Sequence, residues 1–212
     1  MKHDFQYVPR CEYLPIRMEL EKLINLVQDE LRTNYFTFSF TYIGSTHRKM
    51  ITQDVKGNTG YDFDINIHVN DDNENFSSEE IRKILKNAFD KNGRAFGYDF
   101  CEDSTRVLTI KRKEILGSRI LSSCDFAIVY DCDDGRQQYI HFNKNQKSYN
   151  WKYLPMSNTK LEERAEHLKK NNHWDEVRDL YIDKKNWNDN PDKRSRSLYA
   201  ETINEIYLKY CK

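Results

Sequence analysis

Apolar residues Leu20, Leu23, Ile24, Val27 and Leu31 recur at three- and four-residue intervals over residues 17–32, with charges on the opposite side, and predict an amphipathic helix. The period then changes to two. Over residues 35–43 Phe36, Phe38, Phe40 and Tyr42 alternate with Thr37, Ser39 and Thr41, as in a strand with an aromatic core face, and this strand runs directly into Gly44-Ser45. A turn-rich stretch, Lys56-Gly57-Asn58-Thr59-Gly60, leads into a second alternating segment over 61–69. There Phe63, Ile65, Ile67 and Val69 fall on one face, and Asp62, Asp64, Asn66 and His68 on the other. Ser77 and Glu80 have capping-box spacing, and Ile81, Ile84, Leu85, Ala88 and Phe89 continue as one helix face to Gly93. Residues 106–112 and 123–130 read as further strands, and 138–142 as a less pronounced one. Helical patterns follow over 159–170, 173–185 and 195–210, broken near Asn171-Asn172 and at Asn190-Pro191. The expected fold class is α+β: a mixed sheet with flanking helices over residues 1–150, then a helical region over 151–212 packing on that core.

Composition narrows the class. The chain has 212 residues, enough for one core of ordinary size, and its 38% hydrophobic and 32% charged content with few glycines and prolines is that of a folded globular protein. Lys+Arg and Asp+Glu balance at 34 each, so there is no global positive field; a long nucleic acid partner would need a local patch and is disfavoured. No apolar run approaches a membrane span and the first residues lack a signal-peptide core, so a cytoplasmic location is expected. Cys11, Cys101, Cys124, Cys132 and Cys211 are odd in number and scattered, as expected of reduced thiols, and His167 and His173 read as surface helix residues rather than zinc ligands.

The polar face of the second strand carries the candidate chemistry. Carboxylates two residues apart on a strand stand roughly 6.5 to 7 Å apart at Cα, close enough for their oxygens to converge on hard divalent cations. Asp125 interrupts an otherwise apolar strand, where a lone carboxylate needs a partner or a metal. Gly44-Ser45 at a strand end offers close backbone approach and a hydroxyl donor to an anion. Neither GxxxxGK[ST] nor GxGxxG occurs, so those phosphate-binding mechanisms are excluded. Asp133-Asp134-Gly135 reads as a hairpin turn, His68 as hydrogen-bonded to a neighbour, and Lys111-Arg112-Lys113 with Arg106 as a solvated edge.

A helix, a strand ending in Gly44-Ser45, a strand bearing Asp62-Phe63-Asp64 and a later strand bearing Asp125 together resemble the polymerase-β-like nucleotidyltransferases. The run GYDFDINIHV, then TRVLTIKR, CDFAIVYD and Trp151, is similar to the cyclic GMP-AMP synthase and oligoadenylate synthase branch. The resemblance implies that Asp62, Asp64 and Asp125 are catalytic and hold two Mg²⁺ or Mn²⁺ ions, that Asp125 helps activate the acceptor hydroxyl, and that Gly44 and Ser45 grip the triphosphate of a nucleoside triphosphate (NTP). It also implies, by position in the C-terminal helices, nucleotide contacts from Lys185 (or Lys184) and from Ser197 in Ser197-Leu198-Tyr199. The implied activity is transfer of a nucleoside monophosphate to an acceptor hydroxyl with release of pyrophosphate; the acceptor is left open among a nucleotide, a small molecule, an RNA end and a protein. The sixteen residues between Ser45 and Asp62 form a longer gap than usual for the pattern, and the chain is short beside the cyclic-nucleotide synthases. The alternative is a catalytically inactive nucleotide-binding module of the same fold.

Overall fold

The computed structural model describes residues 3–71, 74–114, 118–155 and 159–211. Its elements are β1 (Phe5–Tyr7), α1 (Arg10–Asn34), β2 (Thr37–Ile43), α2 (Gly44–His47), β3 (Thr52–Asp54), β4 (Thr59–Asn70), α3 (Ser78–Gly93), β5 (Glu102–Asp103), β6 (Val107–Lys113), β7 (Ile120–Asp131), β8 (Gln137–Asn143), β9 (Ser148–Tyr153), α4 (Thr159–Lys170), α5 (Trp174–Trp187) and α6 (Ser195–Tyr210). The class is α+β, as the pattern predicts. Among the described residues no helix is long and apolar enough to cross a membrane.

The chain clusters into two units. One holds α1, β2, α2, β4, α3 and β5 to β9; the other joins α4 to α6 with the short strands β1 and β3. In the first unit a seven-stranded sheet runs in the order β2-β4-β7-β6-β5, with β8 and β9 continuing from β7. β4 and β7 are its parallel pair and the other pairings are antiparallel. Alternation along β4 buries Phe63, Ile65 and Ile67 completely, and the helical stripe Leu20, Leu23, Ile24, Val27 and Leu31 of α1 shares their core with Leu85 and Phe89 of α3. Each such side chain contributes roughly 1.5–3 kcal/mol over an exposed position. Phe89 stacks on Phe126 of β7 at 4.3 Å between ring centroids. Phe36 and Phe38 are buried and Phe40 packs on the same cluster, so the aromatic stripe is core.

The helix α3 starts as its sequence dictates: the Ser77 side chain accepts from the Glu80 N–H and Glu80 accepts from the Ser77 N–H. Helix α1 begins earlier than periodicity suggests, because Pro15 sits within it while the amphipathic stripe starts only at Leu20. In the same unit Arg82 of α3 is fully buried, its guanidinium donating to Asp103 at 2.7 Å and to the carbonyls of Ser104 and Val107 at 2.6 and 2.9 Å. It clamps the β5–β6 connection. Arg82→Ala strands Asp103 and two carbonyls, and we expect a loss of about 3–5 kcal/mol of stability, read as a shift of the urea midpoint.

In the second unit β1 pairs with β3, and the Asn186 side chain of α5 accepts from the Phe5 N–H at 2.5 Å and donates to the Phe5 carbonyl at 3.2 Å. Tyr7 donates to the Arg178 carbonyl at 2.9 Å and lies under the Arg178 guanidinium. The two three-residue strands are thus fixed by α5 rather than by length.

Candidate active site

Register brings the aspartates together. In the parallel β4–β7 pair Asp64 stands opposite Asp125 and Asp62 opposite Ser123. Paired residues on neighbouring strands project side by side from the same face, about 4.8 Å apart at the backbone. On the far side of β7, Thr109 of β6 stands opposite Asp125; on the far side of β4, Ile43 of β2 stands opposite Asp64. One row across the sheet therefore reads Ile43, Asp64, Asp125, Thr109, and Gly44 follows at its edge.

Gly44 has φ +61°, and a Cβ built on it would lie 2.4 Å from Asp64 Oδ2. The backbone at the strand end therefore lies against the Asp64 carboxylate, with no room for a side chain between them. The chain then makes the single turn α2, closed by Lys49 N–H to the Thr46 carbonyl at 3.2 Å and Met50 N–H to the Ser45 carbonyl at 2.9 Å. This is a Schellman closure whose left-handed residue is Lys49, φ 57°, where glycine is the usual occupant. An L side chain in that conformation costs about 1–2 kcal/mol.

Like charges crowd the row. Asp62 is exposed, while Asp64 and Asp125 are half-buried. Burial, then the neighbouring charges of Asp125 and Asp62, push the Asp64 carboxyl up to about 6, against the opposing pull of Arg48. Burial also raises Asp125, although Thr109 Oγ1 donates to its Oδ1 at 2.5 Å and favours the charged form. Ser123 Oγ donates to Asp62 Oδ1. The two outer carboxylates are thus drawn toward hydroxyls on neighbouring strands, and among the described residues no three His, Cys, Asp or Glu side chains converge as a ready-made metal cage.

Sequence reasoning does not reach Ser123, Thr109 or Arg48. Ser123 has the right parity, two residues before Asp125, but only the β4–β7 register puts it beside Asp62, and only the β6–β7 register puts Thr109 beside Asp125. The remaining polar features are structural. His68 joins Thr41 at 2.8 Å to Asp131 at 2.7 Å. The 132–136 segment turns β7 into β8 with Gly135 at φ 78° and the Gly135 N–H on the Cys132 carbonyl. Lys111, Arg112 and Lys113 pair with Glu102, Glu19 and Asp99, and so do not form a free basic surface. Burial raises the thiols of Cys101, to about 12, and Cys124, which keeps both protonated and inert.

Lys185 and Ser197 belong to the helical unit. Lys185 is buried, donates to Thr52 Oγ1 at 2.6 Å and lies 4.0 Å over the Phe5 ring; Ser197 is exposed in the first turn of α6, its N–H on the Arg194 carbonyl.

No protein family profile and no curated protein matches the chain by sequence. Solved structures do match it by shape. The cyclic AMP-GMP synthase DncV of Vibrio cholerae, in complex with nonhydrolyzable GTP, superposes with a TM-score of 0.60 at 15% identity over 92% of this chain and 53% of that one. The fold is that of a nucleotidyltransferase. The CD-NTase CdnG of Bradyrhizobium diazoefficiens, in complex with GTP, superposes on the same fold with a TM-score of 0.52 at 13% identity over 74% of this chain and 42% of that one. The chain spans about half the length of these nucleotidyltransferase-fold proteins.

Proposed function

We propose that the chain is a divalent-metal-dependent nucleotidyltransferase that moves a nucleoside monophosphate from an NTP to an acceptor hydroxyl and releases pyrophosphate. The observation that carries this reading is the in-register pair Asp64–Asp125, with Asp62 beside it and the Gly44 backbone against Asp64. The half-buried carboxylates of Asp64 and Asp125, whose proton affinity is raised by burial and by neighbouring charge, fit together with the exposed Asp62 a pair of hard cations such as Mg²⁺ or Mn²⁺, which would replace the proton as counter-charge. When bound, the metals stabilise charge on the attacking and leaving oxygens of the displacement.

The chain's own residues do the positioning. Asp62, Asp64 and Asp125 would hold the metals, and Asp125 would orient the acceptor hydroxyl and help to deprotonate it. Ser123 and Thr109 orient the Asp62 and Asp125 carboxylates by donating hydrogen bonds to them. Gly44 lets the triphosphate approach the backbone, and the Ser45 hydroxyl donates to it. Lys185 and Ser197 are proposed as further nucleotide contacts by the resemblance alone. Likeness to a cyclic AMP-GMP synthase fold favours a second nucleotide as the acceptor.

The deciding experiment is pyrophosphate release from each of the four ribonucleoside triphosphates with Mg²⁺ or Mn²⁺, with and without a pool of nucleotide, small-molecule and RNA acceptors, wild type beside Asp62→Ala. Release by the wild type alone is expected. Equal release by both proteins would overturn the assignment; metal-dependent nucleotide binding with no release under any condition would establish the inactive binding module instead.

A further inference from the structure

The row that carries the aspartates continues past Thr109. Glu102 of β5 stands opposite Thr109, so the row reads Ile43, Asp64, Asp125, Thr109, Glu102, and Glu102 shares the face of the aspartates. At about 4.8 Å per strand its backbone is roughly 10 Å from that of Asp125. Two residues away along β4, β7 and β6 a second row reads Asp62, Ser123, Lys111, which by strand parity is on the same face. The Lys111 ammonium donates to both oxygens of Glu102, at 2.7 and 2.6 Å. This ion pair joins β5 to β6 on the side of Asp125 remote from Gly44.

Two features distinguish the pair from the other ion pairs of the surface. The strand that presents Glu102 has only two residues, yet a buried charge holds it. Asp103 stands opposite the buried Leu108 on the other face, where Arg82 Nε donates to its Oδ1 at 2.7 Å and the Tyr149 hydroxyl donates to its Oδ2 at 2.6 Å. Successive strand residues point to opposite faces, so fixing Asp103 on one side fixes Glu102 on the other. The second feature is the direction of the chemistry. Displacement at the α-phosphorus keeps the attacking and leaving oxygens roughly in line, on opposite sides of it. With the leaving pyrophosphate at Gly44 and Ser45, as in the nucleotidyl transfer proposed above and on which this assignment rests, the acceptor enters over β6 and β5. The side chains it meets beyond Asp125 are Thr109, Lys111 and Glu102.

We propose that Lys111 and Glu102 select the acceptor: Lys111 exchanges the Glu102 carboxylate for a phosphate on the incoming molecule, which makes the acceptor a nucleotide and not a neutral hydroxyl compound. A phosphate carries more charge than a carboxylate and offers three strong acceptor oxygens, so it displaces Glu102 where a neutral group does not. Glu102 is exposed and swings into solvent when displaced. Until then it keeps the ammonium aimed along the row.

The test is equilibrium binding of AMP and of adenosine, which share base and ribose and differ in the phosphate, to protein saturated with a nonhydrolyzable NTP analogue and Mg²⁺. Wild type should bind AMP roughly tenfold or more tightly than adenosine, as expected for a charge-assisted contact. Lys111→Ala should abolish the difference by weakening AMP alone. Glu102→Gln breaks the same ion pair but removes the competitor, and should tighten AMP. A pair with only a structural role moves both variants in the same direction, so the opposite signs are the signature of acceptor selection. Both variants should melt close to wild type, because a partly exposed pair contributes little to folding. Equal affinity of wild type for AMP and adenosine, or a shift of AMP affinity in the same direction in both variants, would overturn the proposal. The expected binding pattern with no pyrophosphate release from any NTP would remove the catalytic reading and leave the phosphate contact standing; release with no preference for AMP would do the reverse.

Discussion

Asp64→Asn is expected to lower nucleotidyl transfer on the order of 10³-fold while making the metal-free protein more stable at neutral pH. The opposed effects have one origin. Asp64 is half-buried beside Asp125 and Asp62, and its carboxyl is pushed up to about 6 from an ordinary value of 3.8. The folded chain therefore holds this proton more tightly than the unfolded chain does. Stability from that preference is fully present below about pH 4 and is lost as pH rises through about 6, a loss on the order of 1–3 kcal/mol. An amide in the same place carries no such charge. Urea unfolding in EDTA at pH 4, 5, 6 and 7 should show wild type losing stability over that interval through this group, with a smaller decline in the variant. Addition of Mg²⁺ at pH 7 should raise the wild-type midpoint by mass action and leave the variant nearly unmoved. Identical pH dependence in the two proteins would remove the electrostatic account of the row.

How much of this could be read from sequence follows from the range of each interaction. The alternation in β4, the capping box at Ser77 and the stripe on α1 are local patterns with strong hydrophobic contrast, and they correspond to observed elements. β1, β3 and β5 have two or three residues each, too short for any period to register; in the case of β1 and β3 the pairing is stabilised by Asn186, some 180 residues away in the chain. β9 is missed because Ser148–Tyr153 alternates imperfectly and its pairing with β8 supplies the order. Gly60, read as part of a turn, lies within β4: a Cβ there would sit 1.8 Å from the Leu121 carbonyl oxygen, so glycine is required by the close approach of β7 and not by a bend.

At the site the same division holds. Asp62 and Asp64 are visible as a pair from strand parity alone, and Asp125 from its isolation among apolar neighbours. That Asp125 faces Asp64 and not some other residue is a matter of register between strands about sixty residues apart, which no local pattern encodes. The hydroxyls of Ser123 and Thr109 are chemically ordinary and become meaningful only through that register.

Gly44→Ala should test the other half of the site. Alanine at φ +61° is strained by about 1–2 kcal/mol, a loss visible as a modest fall in melting temperature. The larger effect is steric: its Cβ would fall 2.4 Å from Asp64 Oδ2, and the carboxylate must swing away or the turn must back off. A displacement near 1 Å at a group proposed to hold metal costs about 10²-fold in rate, so pyrophosphate release should fall by that order although all three aspartates are present. Gly60→Ala is the informative comparison, because its added carbon meets the β7 backbone and not the Asp64 side chain. That variant should lose stability first, and activity only in proportion to the folded fraction. Were Gly44→Ala to behave like Gly60→Ala, with activity tracking folded protein, then the contact between the turn and Asp64 would be a matter of packing, and the grip assigned to Gly44 and Ser45 would have to be sought elsewhere in the chain.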